Sequence, residues 1–292
     1  MNIVAQLIIN SLIAGATYTM IVLGFNFIYG TVKFFDFSYG VFAVVGGYAV
    51  YYFTNLLGLN IYLSILIAVI ITGFLGFLVN VFVYKKLRKR KASPMVFLVA
   101  SIGVFTFIQA IIAILFSSRF QTLNKWVFGS QTFNFFGGII TKMQVIILII
   151  GLATLFVLAL VLKFTRFGKA VRAVSDNIEV SKIVGIKTEK IIGQVVFIGS
   201  AIAGMAGILV GLDSSIEPTM GFSFLFKGLI AATIGGVGNV YGGVLGAFFL
   251  GFVENFGIWH ISGEWKDAIA FSVFIIFLLF RPNGILGASH TK

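Results

Sequence analysis

An all-α fold, a polytopic transmembrane helix bundle, is what this sequence predicts, and three observations predict it. Of 292 residues, 59% are hydrophobic and 10% charged, whereas a soluble domain carries roughly 25% charged residues. Apolar runs long enough to cross a bilayer recur from one end of the chain to the other. The basic residues fall in short clusters between those runs rather than within them. The chain therefore reads as a single membrane domain over residues 1–292 with about eight to ten membrane segments, some of them broken or re-entrant.

Crossing the hydrocarbon takes about 20 apolar residues in helical form. The candidates are residues 7–30, 38–54, 61–84, 95–116, 144–163, 191–212, 222–236, 243–259 and 266–281. Helix is expected in all of them, because hydrocarbon offers free backbone groups no partner. The runs are continuous and lack the two-residue alternation of a barrel strand. Runs 38–54 and 222–236 are short for full crossings and are the ones expected to be broken. No Lys or Arg precedes Lys33, so the first run reads as a retained helix rather than a cleaved leader.

Orientation follows from the basic residues. Lys85, Lys86, Arg88, Lys89, Arg90 and Lys91 form one cluster, and a second lies between Lys163 and Lys190. Placing both, with Lys33 and the tail after Arg281, in the cytoplasm leaves only Arg119, Lys125, Lys142, Lys227 and Lys266 outside. With nine crossings the N-terminus is then external and the C-terminus cytoplasmic. The net charge of +12 is a membrane-topology signal on this reading, and no nucleic acid is expected as a partner. The absence of cysteine rules out disulfides and thiolate-held metals, and His260 and His290 are too few and too far apart for a histidine metal site.

The longest external loop, 117–143, carries Trp126, Phe128, Phe133, Phe135 and Phe136, suited either to an interfacial aromatic belt or to docking an external partner. Gly199, Ala203, Gly207 and Gly211 recur every four residues, and Gly243, Ala247 and Gly251 do the same. Both stripes predict close helix–helix seams.

Loop 164–190 is polar enough to leave the membrane and patterned enough to fold. Val171, Val174 and Ile178 make one helical stripe, and Val180, Ile183 and Val184 a second that ends at Gly185. Ser175 and Asp176 are the expected caps. Two such helices suit either lying on the membrane surface or pressing into a cleft on a cytoplasmic partner.

At this loop the sequence resembles a family. Arg172-Ala173-Val174-Ser175-Asp176-Asn177 followed by Gly185-Ile186 is similar to the cytoplasmic loop of permease subunits of branched-chain amino-acid ABC transporters. Four further segments agree in order: Leu23 to Gly30 leading to Phe35-Asp36-Phe37-Ser38-Tyr39-Gly40; the Ala/Gly-rich stretch Ala201 to Gly211; Gly235 to Ala247; and Arg281-Pro282-Asn283-Gly284-Ile285-Leu286-Gly287. Departures are Asp36 for the family's Asn, Tyr39 for its His and Ser181 for its Ala. The first two bear on substrate. The resemblance is to the shorter, LivH-type subunit.

The resemblance implies a permease of an ATP-driven importer for branched-chain or related amino acids in a prokaryotic cytoplasmic (inner) membrane. Its implied partners are two cytoplasmic ATPase subunits carrying ATP and Mg, a second permease subunit, and an extracytoplasmic solute-binding protein, with membrane lipid around it. The chain itself would bind no cofactor and catalyse nothing: it contains no GxxxxGK[ST] cradle, and Gly168-Lys169-Ala170 lacks both the earlier glycine and the hydroxyl residue. Arg172, Asp176, Asn177 and Gly185 are the residues expected to couple loop 164–190 to the ATPases.

For the translocation path, discontinuous helices are the guide, because backbone freed at membrane depth must face a cavity or protein. Asp36, Ser38 and Gly40, then Gly221 and Ser223 beyond Glu217, precede the two short runs and hint at an internal repeat. Asp36 reads equally as an interfacial charge near Lys33, and Asp213 and Glu217 as a solvated loop. Glu254 is the acid expected at membrane depth, where pairing with Lys227 or interfacial exposure is also open. Gln109, Asn26 and Asn80 read as helix-packing hydrogen bonds. Permeases of the same family for urea, amides or other small polar solutes, and an ion-coupled secondary transporter, are the rival readings.

Overall fold

A computed structural model describes residues 3–123, 131–135, 137–259 and 261–286. Lys125, Trp126, Phe128, Phe136, His260, Gly287, His290 and Lys292, which figure in the sequence reading, lie outside the described residues. The helices are α1 (Ile3–Val32), α2 (Tyr39–Tyr51), α3 (Ile61–Val79), α4 (Lys85–Lys89), α5 (Pro94–Phe116), α6 (Lys142–Phe164), α7 (Arg166–Asp176), α8 (Ile178–Ile183), α9 (Thr188–Asp213), α10 (Met220–Gly235), α11 (Val240–Gly257) and α12 (Lys266–Phe280). Wide π turns, Tyr52–Leu56 and Asn80–Tyr84, extend α2 and join α3 to α4.

Among the described residues, six helices are long and apolar enough to cross a membrane: α1, α3 with α4, α5, α6, α9 and α11. The other three expected spans are α2, α10 and α12. At 15 residues, α12 rises only about 22 Å, short of the roughly 30 Å of hydrocarbon. It is a third short helix beside the two that the sequence marks.

α1 and α9 form the centre, with 72% and 61% of their most apolar windows buried against 17% for α5 and α6. α1 packs on α9, α10 and α11, while α9 packs on α1, α2 and α3. α2 touches α3 and α5, and α10 touches α11 and α12. The chain thus contains two quartets, α1-α2-α3-α5 and α9-α10-α11-α12, each with its second helix short. α2 and α10 meet N-terminus to N-terminus, so the quartets run in opposite senses.

The internal repeat is visible in the backbone that leads into each of these short helices. Tyr39 N–H donates to Asp36 O (3.3 Å) and Val41 N–H to Ser38 O (3.2 Å). Correspondingly, Met220 N–H donates to Glu217 O (3.3 Å) and Phe222 N–H to Thr219 O (3.1 Å). Ser38 and Thr219 are the two N-cap positions, so Ser38 corresponds to Thr219 and not to Ser223. A Cβ on Gly40 would strike the Gly221 carbonyl oxygen, and one on Gly221 would lie 2.8 Å from that of Gly40.

Both small-residue stripes are packing seams: Gly199 lies against Ile28, Gly207 against the Ala43 carbonyl, and Gly251 against Ser11 and Gly15. The 117–143 loop adds a feature the apolar runs do not announce, an antiparallel hairpin of β1 (Thr132–Phe135) and β2 (Gly138–Thr141). The Gln6 side chain clamps it to α1, accepting from Ile139 N–H (2.8 Å) and donating to Ile139 O (3.1 Å). These are the only two strands among the described residues, and each backbone group so paired is satisfied without helix.

The two glycine-rich motifs are halves of one structure. Ile285 and Leu286 donate N–H to the carbonyls of Ile234 (2.8 Å) and Gly235 (2.9 Å), closing the C-terminal end of α10. Asn239 caps α11 through Tyr241 and Gly242 N–H and also donates to Leu286 O. Asn26 grips the same turn, donating to Asn239 O (2.8 Å) and accepting from Gly238 N–H (3.0 Å). Gly284 has φ +74, and a Cβ there would lie 2.5 Å from Gly236 N. Gly284→Ala is therefore expected to cost about 1–3 kcal/mol and lower the thermal midpoint of the purified protein in detergent. Gly58→Ala, at φ +67 with nothing within 4 Å, should cost less. Equal losses at the two positions would mean that the Gly284–Gly236 contact is not what matters.

Candidate functional site

Non-helical backbone at membrane depth must be held by protein, and the connection from Lys33 to Ser38 has such a set of holders. Asp36 is buried (2% exposed). Its Oδ1 accepts from Ser38 N–H (2.9 Å), Ser38 Oγ (2.6 Å) and Tyr84 OH (2.6 Å). Phe37 N–H donates to Ser101 Oγ on α5 (3.1 Å). Tyr84 belongs to the π turn at the end of α3, so one carboxylate joins α2, α3 and α4. Among the described residues it makes no ion pair with Lys33, and it is buried in protein rather than exposed. Its place at the start of α2 is also one where the ionised form would complement the helix dipole.

At the other short helix, Gly221 is buried against Gly40 while Ser223 faces a cavity of about 430 Å3 between α5, α10 and α12. Phe105 and Gln109 of α5, Ser223 and Lys227 of α10, and Asp267 and Phe271 of α12 line it. Gln109 thus faces space rather than making an expected interhelical bond. Glu217 lies just before α10, partly buried.

Glu254 is 0% exposed, and Lys227 Nζ lies 3.3 Å from its Oε1. Tyr18 OH donates to Glu254 Oε2 (2.6 Å), and Lys227 donates to Tyr18 OH (3.0 Å). Lys227 also reaches Asp267 Oδ1 at 3.2 Å, where the carboxylate is 66% exposed. Four helices, α1, α10, α11 and α12, therefore converge on one ammonium. Glu254 does not touch the cavity itself; it holds Lys227 at its wall.

On loop 164–190, Thr165 caps α7 and Asn177 caps α8, accepting from Glu179 N–H (2.9 Å) and Val180 N–H (3.0 Å). The cap is Asn177 rather than Ser175 or Asp176: Asp176 is the last residue of α7, and Ser175 contacts Thr31 of α1 at 3.4 Å. Gly185, at φ +86, ends α8. Val171 and Val174 of the first stripe are buried on the bundle, so α7 spends its apolar face inside the protein. The second stripe does not: Val180, Ile183 and Val184 are exposed, Ile183 at 84%. The Arg172 guanidinium turns back onto the Leu162 carbonyl, leaving Asp176 and Asn177 exposed beside α8.

Of the ten residues singled out in the sequence, Asp36, Ser38, Gly40 and Gly221 gather at the meeting of α2 and α10. Ser223 lines the cavity, Glu254 lies behind it on Lys227, and Arg172, Asp176, Asn177 and Gly185 stay on the loop. Tyr84, Tyr18, Ser101 and Asp267 are site residues that sequence reasoning missed. A hydroxyl inside an apolar run was the only available signal for Tyr18 and Ser101.

A family profile described as branched-chain amino acid transport system / permease component matches residues 7–278. The chain is 31% identical to the high-affinity branched-chain amino acid transport system permease protein BraD of Pseudomonas aeruginosa, over 98% of this chain and 97% of that one. It is 30% identical to the corresponding LivH protein of Salmonella typhimurium, over 98% and 96% of the two chains. Similarity extends to the probable LivH permease of the archaeon Methanocaldococcus jannaschii, at 28% over 94% and 89%. Among solved structures, PsaBC from Streptococcus pneumoniae in complex with Fab matches with a TM-score of 0.51 at 13% identity, over 97% of this chain and 93% of that one, a likeness of fold alone.

The convergence on Lys227 makes an unequal pair of losses. Lys227→Met leaves Glu254 buried without its cation and is expected to cost about 3–5 kcal/mol. The double variant Lys227→Met/Glu254→Gln should recover most of it, measured as the detergent melting midpoint of each protein. A strictly additive cycle would mean that the two side chains do not act as a pair.

Proposed function

The chain belongs to the family of branched-chain amino acid transport system permease components, and from that membership we propose that it is the membrane-spanning subunit of an importer driven by separate ATPases. It is a multi-pass membrane protein and a transport subunit rather than an enzyme. The cargo proposed is a branched-chain amino acid or a close relative, delivered by an extracytoplasmic binding protein, with a second permease subunit completing the path. The membrane is then the cytoplasmic membrane of a prokaryote.

The observation that carries the coupling reading is the exposed apolar ridge of Val180, Ile183 and Val184 on α8. Its neighbour α7 has its apolar stripe packed on α1 and α9, which anchors the loop to the bundle and supports reading α8 as a knob held out for a partner rather than as a helix lying on lipid. Such a knob fits an apolar cleft on an ATPase, with Asp176 and Asn177 beside it and Gly185 closing the turn. Arg172 supports the knob from within, through the Leu162 carbonyl.

The cavity between α5, α10 and α12 is the proposed segment of the path. Its chemistry is mixed in a way that suits a zwitterion with an aliphatic side chain. Phenylalanine rings take the side chain, and the paired charges of Lys227 and Asp267 offer partners to the carboxylate and the ammonium. Urea or a simple amide would make no use of the rings. The Asp36 cluster sits behind this cavity as the anchor of α2, not on its wall.

The test is reconstitution with the second permease subunit, the ATPases and the receptor in proteoliposomes. Leucine uptake is expected to require ATP on the side of the membrane that carries the ATPases. Ile183→Asp/Val184→Asp should lower uptake by about 10-fold or more, as loss of a central apolar anchor does. ATPase co-purification should fall with it while the melting midpoint of the bundle stays put. Uptake by this chain alone, driven by a proton or sodium gradient, would instead identify a secondary carrier.

A further inference from the structure

A second concavity, about 830 Å3, opens at the cytoplasmic end of the bundle, away from the cavity between α5, α10 and α12. Three cations from three different elements line it: Lys33 after α1, Lys163 at the end of α6, and Arg172 on α7. No carboxylate lines it among the described residues. The other basic cluster differs in this respect, because Arg88 is held by Glu189 at 3.0 Å. A positive-inside loop needs only charge on the correct side of the membrane. It does not need cations converging on one hollow.

The backbone at Lys33 is built for this aim. Lys33 has φ +59, a left-handed conformation rare for a residue with a side chain. Its N–H closes α1 on the Tyr29 carbonyl (2.9 Å), and its side chain reaches the hollow from the end of that helix. Tyr241 stands at the rim, and it starts an exposed apolar row on α11: Tyr241, Leu245 and Phe249 are 52%, 51% and 39% exposed. That row lies in a helix long and apolar enough to span a membrane, and Tyr241 belongs to both the row and the hollow, so the two adjoin. A ligand filling both parts has an anionic head and apolar tails.

We propose that this hollow is a binding site for the phosphate headgroup of an anionic phospholipid of the cytoplasmic leaflet, held by Lys33, Lys163 and Arg172 with its acyl chains along α11. Arg172 would then link lipid and loop, because it sits on α7 next to the helix that carries the coupling knob. The same site loses its ligand when the headgroup is neutral overall, since a zwitterionic lipid brings a fourth cation into a pocket that already has three.

The assembled transporter, purified in mild detergent, supplies the test by native mass spectrometry of retained lipid. Phosphatidylglycerol should be retained in preference to phosphatidylcholine. Lys33→Asn/Lys163→Gln, in which Asn suits the left-handed position, should weaken that retention by about 5-fold per cation, or about 25-fold in all. Lys85→Gln/Lys86→Gln removes as many charges elsewhere and should leave retention unchanged, and Lys163→Arg should preserve it. Equal loss in the control pair would overturn the site in favour of diffuse attraction. Displacement of the lipid by soluble glycerol 1-phosphate at equal concentration would overturn the lipid assignment, since a site that ignores the tails binds free phosphate.

Discussion

Gly40 and Gly221 face one another where two short helices begin, and each lacks the methyl group that would collide with the other's carbonyl. That mutual approach lets both α2 and α10 start inside the bundle rather than at its surface. Everything else follows from the need to satisfy the backbone leading into them. A chain in hydrocarbon cannot leave peptide groups without partners, so each non-helical lead-in must be enclosed by protein. Asp36, Ser38, Tyr84 and Ser101 do this ahead of α2. Ahead of α10, Ile216 instead pairs with Gln121 of loop 117–143, through two 2.9 Å hydrogen bonds. The lead-ins share geometry but differ in environment: one is closed by a buried carboxylate, the other by a strand-like bridge near the bundle's outer end.

This difference explains what the sequence made legible. The short spans, the glycines at their starts and the acid four residues before each glycine are local features, and local backbone demands leave local marks. The same holds for the two amphipathic stripes of loop 164–190 and for the turn around Gly185. Contacts between distant residues leave none. Nothing in the run from Asn80 to Lys85 says that Tyr84 reaches Asp36, and nothing around Tyr18 says that it meets Glu254 across 236 positions. The hairpin 132–141 escapes because its partner is a side chain on α1, and α12 passes as a full span although its apolar run, 266–281, is no longer than the run 38–54 that reads as short. Residue type pairs Ser223 with Ser38, whereas the capping geometry pairs Ser38 with Thr219.

The buried ionic cluster has a cost that must be offset by geometry. An isolated ion in a bundle interior is strongly disfavoured, and a buried pair is only weakly stabilising even when well made. Lys227 is placed where it serves Glu254 and Tyr18 within the protein and Asp267 at the cavity wall. A cation retained for stability alone would be better replaced by an apolar side chain. Its retention at the edge of a cavity, with one of its two carboxylates largely exposed, argues that the exposed side of the cluster is there to be met by something polar.

The loop and the bundle core are mechanically close despite their separation in sequence. α7 packs on α9 and α1, and its Ser175 lies against Thr31, in the last turn of α1 before the connection to α2. A displacement of α8 therefore has a packed route to α1 through α7. From there it has two routes: across the α1–α9 seam, or through Val32 and Lys33 into the connection that Asp36 anchors. Packed interiors switch between discrete arrangements rather than deforming smoothly. For the proposed mechanism, the element with two arrangements is the pair of short helices, since both begin at the shared Gly40–Gly221 contact. On the proposed reading, an ATPase pulling on the knob would act at that contact, and the cavity between α5, α10 and α12 would open or close with the tilt of α10.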